Sequence, residues 1–218
     1  MTNRPEQEKK EQISALARQV LSLARDNILV ALRFFDVALT GLAGKEVTGI
    51  GVIATDGKVL QYDPYEKEPK RVTRMLLHSL LHCIFYHNFQ YDKMDRECWD
   101  LAVDLAVENT ILELQVPSVQ VETDREAVAK LRVWKEDVGV LTAERIYKYM
   151  RTNPISSREK EELNRLFYRD SHALWMPKEE LVVSQEQWQK ISERIKADLK
   201  AFSKARNNTE SLVKNLSE

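Results

Sequence analysis

The segment MLLHSLLHCIFYH, Met75 to His87, carries three of the chain's four histidines, and His78 and His82 stand four residues apart. Side chains at that spacing leave an α-helix from the same side, so the two imidazoles can meet one tetrahedral ion. A hydrolytic centre needs more than that: a third protein ligand, an open position for water, and a base to take the water's proton. Zinc hydrolases with this spacing mostly carry the base as a glutamate directly after the first histidine. Here that position is Ser79. A hydroxyl without an activating partner is neutral near pH 7 and cannot do the work of the carboxylate. General acid–base catalysis contributes typically about 10² to 10⁴-fold, so metal binding and peptide hydrolysis separate here into two expectations, the first retained and the second weakened.

Candidates for the remaining roles lie in three places. His87 is near in sequence, but five residues past His82 it turns away from the shared face of a regular helix, and no glycine between them offers a bend. The segment WDLAVDLAVEN places Asp100, Asp104 and Glu108 on one helical face among apolar neighbours, where a carboxylate requires a cation or hydrogen-bond donors. Asp100 is also an alternative base, should the helices cross suitably. The segment YRDSHALW holds the fourth histidine, His172, which approaches the site as an outer donor or a transition-state stabiliser or, the favoured reading, serves with Asp170 to cap and pin the loop before Pro177. Ser79 as a nucleophile lacks the glycine-flanked elbow such a serine needs. Two imidazoles and a carboxylate suit zinc, and equally iron, nickel or cobalt.

These residues need elements to position them. Apolar residues from Ile13 to Leu39 recur at three- and four-residue steps, predicting one long helix or two consecutive ones over about 7–42. The stretch VTGIGVIATDGKVLQYDP changes to an extended pattern around a Thr55-Asp56-Gly57 turn and predicts a hairpin. Helical spacing returns over about 71–89 and 96–114, and the short connection makes these helices antiparallel neighbours. Further helices are expected near 124–134, from Thr142, over 156–167, and in the charged C-terminal segment with its stripe Trp188, Ile191, Ile195, Leu199 and Phe202. The expected architecture is α+β and mostly helical: a single domain over 1–205, then a frayed tail over 206–218. Cys83 and Cys98 read as buried thiols.

With 218 residues, 43% of them hydrophobic, the chain can bury one good-sized core. Lysine plus arginine of 33 against aspartate plus glutamate of 34 leaves a net charge of -1, which argues against nucleic acid or anionic lipid as partner. The polar N-terminus and the absence of a long apolar run predict no membrane span and a cytoplasmic protein.

Taken together, the hairpin TDGKVLQYDP, the helix HSLLHCIFYH, the helix WDLAVDLAVEN and the element YRDSHALW resemble the N-terminal metallopeptidase domain of bacterial VWA-like proteins, over about Ala31 to Trp175. That resemblance implies a zincin-like fold, zinc bound by His78 and His82 with Asp104 as third ligand, a peptide or protein substrate, and association with a MoxR-type AAA+ ATPase. Two positions depart from the family pattern: Ser79 stands for its glutamate and Asp100 for an asparagine. What is implied is therefore a metallopeptidase-like domain of weak or lost activity, a pseudoenzyme. The alternative is an interaction module that keeps the fold and docks a partner.

Overall fold

The computed structural model describes residues 4–91, 94–175, 181–202 and 208–217. A long helix α1 (Arg4–Ala31) leads through a short 3-10 turn into α2 (Asp36–Thr40), so the predicted helical stretch resolves into two consecutive helices. Strands β1 (Ala43–Glu46), β2 (Ile53–Thr55) and β3 (Val59–Tyr62) follow. The hairpin is β2 against β3, antiparallel, with Ile53 opposite Tyr62. Its turn is built locally: the Asp56 carboxylate accepts from the amides of Lys58 and Val59, and Gly57 takes φ 87, a conformation in which a Cβ is strained. Two further strands escaped the sequence reading. β1 runs parallel to β3, and β4 (Asp170–Ser171), only two residues long, runs parallel to β2 with Asp170 beside Ile53. Neither carries the alternation that marks a strand; β1 is held by the nearby β3, and β4 by β2, far away in sequence.

Helices α3 (Pro69–Ile84) and α4 (Arg96–Leu114) form the predicted antiparallel pair. The Glu68 carboxylate caps α3 by accepting from the amides of Lys70 and Arg71, with Pro69 in the first turn, and Asp95 caps α4 at the amide of Cys98. Then come α5 (Asp124–Val138), α6 (Ala143–Thr152), α7 (Ser157–Phe167), α8 (Leu181–Phe202) and α9 (Glu210–Asn215). Ser156 caps α7 through the amide of Glu159, whereas Thr142 makes no side-chain cap to α6.

α4 lies between two apolar clusters. Val107, Ile111 and Leu114 join the cluster formed with α1, the sheet, α3 and α8; Trp99, Leu101, Ala102, Val103, Leu105 and Ala106 join α5, α6, α7 and Trp175. A helix embedded on both sides carries Asp104 and Glu108 inward with it, and a buried carboxylate persists only where cations or donors meet it. In α8, Trp188, Ile195 and Leu199 are buried and Ile191 packs beside them, and the indole N–H of Trp188 donates to the carbonyl of Gly57; the side chain of Phe202 lies outside the described residues.

The tail expected to fray carries instead the helix α9. Its Leu212 is buried, its Ser211 accepts from Asn109 of α4 at 2.7 Å, and Asn215 reaches Thr110. A six-residue helix with one apolar anchor has too little periodicity to announce itself, and its stability comes from docking. Cys83 is fully buried as expected, while Cys98 is only half-buried.

Candidate metal centre

α3 supplies His78, Ser79 and His82, all fully buried. α4 runs alongside and brings Asp104 to both histidines, 3.2 Å from His78 Nε2 and 3.3 Å from His82 Nε2 at its Oδ1. The third side is β4. Pairing with β2 delivers Asp170, whose Oδ1 stands 3.6 Å from His78 Nε2 and 3.7 Å from His82 Nε2. The 3-10 turn after it, His172–Leu174, sets His172 Nε2 at 3.3 Å from Asp104 Oδ1 and 3.2 Å from Asp170 Oδ1.

These separations have a simple meaning. A tetrahedral ion with bonds of about 2.0–2.1 Å spaces its ligand atoms by about 3.3 Å. His78, His82, Asp104 and Asp170 offer atoms that all lie within 4.8 Å of one another, a buried group that could hold a metal ion. His82 Nε2, Asp170 Oδ1 and His172 Nε2 are moreover buried without a hydrogen-bond partner among the described residues. Unpaired buried polar atoms are costly and rare, so three aimed into one small volume fit a cation there. The donors are nitrogen and oxygen without sulfur, which suits zinc and its first-row neighbours.

Behind the donors stands a second set of contacts. His78 Nδ1 meets Glu108 Oε1 at 2.8 Å; Glu108 in turn accepts from Arg74 at 3.1 and 2.6 Å. His82 Nδ1 lies 3.0 Å from His87 Nδ1, His172 Nδ1 lies 2.7 Å from Asp100 Oδ1, and the Ser79 hydroxyl donates to Asp170 Oδ2 at 2.6 Å. Each contact fixes a ring tautomer or a carboxylate orientation. Trp175 stacks on the His172 ring, centroids 3.7 Å apart and planes 15° apart, and is itself buried.

Electrostatics follow from this packing. Burial opposes charge on His78, but its hydrogen bonds to Asp104 and Glu108 outweigh that and hold its pKa up at about 9. Burial dominates at His82, whose pKa falls to about 4. His87 is likewise pushed well below the usual range by burial. At His172 the surrounding Asp104, Asp100 and Asp170 overcome burial and raise it. Glu108 falls to about 2, because Arg74 and His78 together outweigh its desolvation.

Of the sequence candidates, the structure brings His78, His82 and Asp104 together. Asp100 stands off this group, one step behind His172 and partly exposed. His87 corrects the helical reading. α3 ends at Ile84, and Tyr86 adopts the left-handed conformation, φ 63, without being a glycine, which folds His87 back against His82. It meets the Nδ1 side of His82 and so backs that ring instead of joining the donor group. Asp170 escaped detection as a donor: sequence reading gave it a capping role, because nothing local announces that a two-residue strand will be carried to α3. The signal available was the packing of Asp, His and Trp into YRDSHALW. His172, favoured there as a loop pin, faces the donors directly.

A cavity of about 830 Å³ opens nearby, but none of the five residues around the point lines it. Arg74 and Arg169, which do, meet Glu108 instead. Among the described residues no helix is long and apolar enough to cross a membrane. Residues 16–211 match the sequence profile of a family described as a putative metallopeptidase domain. No curated protein and no solved structure matches the chain.

Proposed function

Because the chain belongs to the family of putative metallopeptidase domains, we propose that it is a metal-binding, metallopeptidase-like domain in which His78, His82, Asp104 and Asp170 hold one divalent ion, zinc by the chemistry of the donors, and in which peptide hydrolysis is weak or lost. The observation that carries the reading is the convergence of buried, unpartnered donor atoms on one point. When bound, such an ion would polarise a carbonyl and acidify a water. The chain's own residues bind and orient. Glu108 holds His78 with Nε2 free to coordinate, His87 does the same for His82, and Ser79 fixes the second oxygen of Asp170 so that the first faces inward. Ser79 thus works as a donor to a ligand at the position where a glutamate would take a proton. Asp100, the alternative base, is engaged with His172. A zincin-like arrangement is supported by the paired histidines on α3 beside the small sheet.

The deep burial of the donors favours a second reading, an interaction module that keeps the ion and the fold and docks a protein partner, a MoxR-type AAA+ ATPase by family resemblance. Metal content per chain, measured by mass spectrometry on protein prepared without chelator or nickel resin, tests the binding reading. About one ion per chain, lost in His78→Ala, supports it; no ion in either protein refutes it. Turnover of a peptide library by the loaded protein then separates the hydrolase from the module.

A further inference from the structure

We propose that His172 is a fifth donor to the ion of this centre, and that the ion pins the segment Asp170–Trp175 onto α3 and α4 instead of presenting an open position to substrate. The inference rests on the metal-binding reading above and extends it to what the ion does. His172 stands beside the four residues whose ligand atoms all lie within 4.8 Å of one another and shares two of their marks. Its Nε2 is buried without a hydrogen-bond partner among the described residues, and it stands 3.3 and 3.2 Å from the inward oxygens of Asp104 and Asp170. Its Nδ1 is bound to the Asp100 carboxylate at 2.7 Å, which leaves the lone pair on Nε2. That is the carboxylate–histidine arrangement by which proteins fix a metal ligand, and Glu108 repeats it at His78. The stacked indole of Trp175 holds the ring in this orientation.

Position argues against the other role such a pair could play, that of a proton shuttle. A shuttle must reach solvent or substrate at its working nitrogen. His172 is 8% exposed and Asp104 3%, while His78, His82 and Asp170 are fully buried. Four protein donors already complete a tetrahedral ion, and closed coordination is the mark of a structural site. A fifth makes a three-nitrogen, two-oxygen shell without thiolate, in which two carboxylates balance the charge of a divalent ion. The two inward residues of the 170–175 segment then hang on the ion, together with Ser79 and Asp100 from the helices. Ser79 belongs to the same design: a closed centre has no use for a base, and the position is free to orient Asp170.

Cobalt(II) titrated into the full chain reads this directly, because its visible absorption is weak when five-coordinate and stronger when tetrahedral. The wild type is expected to bind one cobalt with the weaker spectrum. His172→Gly is expected to bind at least tenfold more weakly with a stronger, tetrahedral spectrum, and added imidazole to restore the first. Asp100→Asn, which keeps the ring but loses its carboxylate partner, is expected to keep the spectrum and lose about tenfold in affinity; it supplies the test should His172→Gly fail to fold. Bound cobalt is also expected to protect the 168–175 segment from proteolysis. Cobalt binding of unchanged spectrum and affinity in both variants overturns the fifth donor while leaving the metal reading intact. No binding by the wild type overturns both.

Discussion

Ser79→Ala isolates one hydrogen bond, and the structure gives its size. The hydroxyl donates to Asp170 Oδ2 at 2.6 Å, both side chains are fully buried, and the residues lie 91 positions apart. A buried hydrogen bond to a charged group contributes about 1.5–3 kcal/mol, and removing the donor leaves an acceptor that water cannot reach. The substitution itself creates almost no void. About 2 kcal/mol is therefore expected, which in a chain of this length lowers Tm by roughly 4–8 °C. In metal binding the loss of a carboxylate's outer partner should cost about 10- to 100-fold. Thermal and urea unfolding with chelator present give the first quantity, and competition against a chromophoric chelator gives the second. Unfolding and affinity both within error of wild type would mean that Asp170 is held in place by something other than Ser79, and the role assigned to this serine would be wrong.

Three further outcomes follow from the same geometry. His78→Ala and His82→Ala are expected to abolish metal binding, whereas His87→Ala, which removes only the partner of His82 Nδ1, weakens it by about 10- to 100-fold in chelator competition. Because His78, held at about 9, carries a proton at neutral pH and must lose it to coordinate, about one proton should be released per ion at pH 7. Affinity then falls as pH drops below 9, and calorimetry in buffers of different ionisation heat counts the protons; none released would contradict it. Glu108 has its folded pKa depressed to about 2, so the stability it contributes, on the order of 3 kcal/mol, is present above the ordinary glutamate range and lost as pH falls from there towards 2. Glu108→Gln should destabilise the protein at pH 7 and flatten this acid limb in urea unfolding.

A glutamate placed at position 79 separates what the motif implies from what the structure allows. On the motif alone, Ser79→Glu recovers a base and creates or raises peptidase activity. In the structure a carboxylate at that position meets Asp170 in a buried site, and two like charges there are repulsive. Activity would need Asp170 changed as well. The helical parts of the fold were legible because α1, α3, α4 and α8 carry apolar residues at helical spacing, and the four-residue step of His78 and His82 puts both on one side of α3, whereas Asp104 was implied by the family resemblance. β1, β4 and α9 were not legible, since each is too short to carry a period and owes its form to partners elsewhere in the chain. The position of His87 was misread for a local reason, the left-handed Tyr86, which no residue preference predicts.

The separation of the donors along the chain sets an order of assembly. Once α3 and α4 have been synthesised and paired, a two-histidine, one-carboxylate site exists, with about 60 further residues still to be made before Asp170 arrives. At that stage an ion would have free positions, and the centre would be open in the way a catalytic one is. Docking of β4 beside β2 ends that stage and is a late, long-range event, the kind that slows folding. Metal supplied early would template the helix pair, whereas metal supplied late would have to enter a shell already closed. The timing of metal delivery relative to synthesis, and not only its affinity, would then decide how much of the protein is filled.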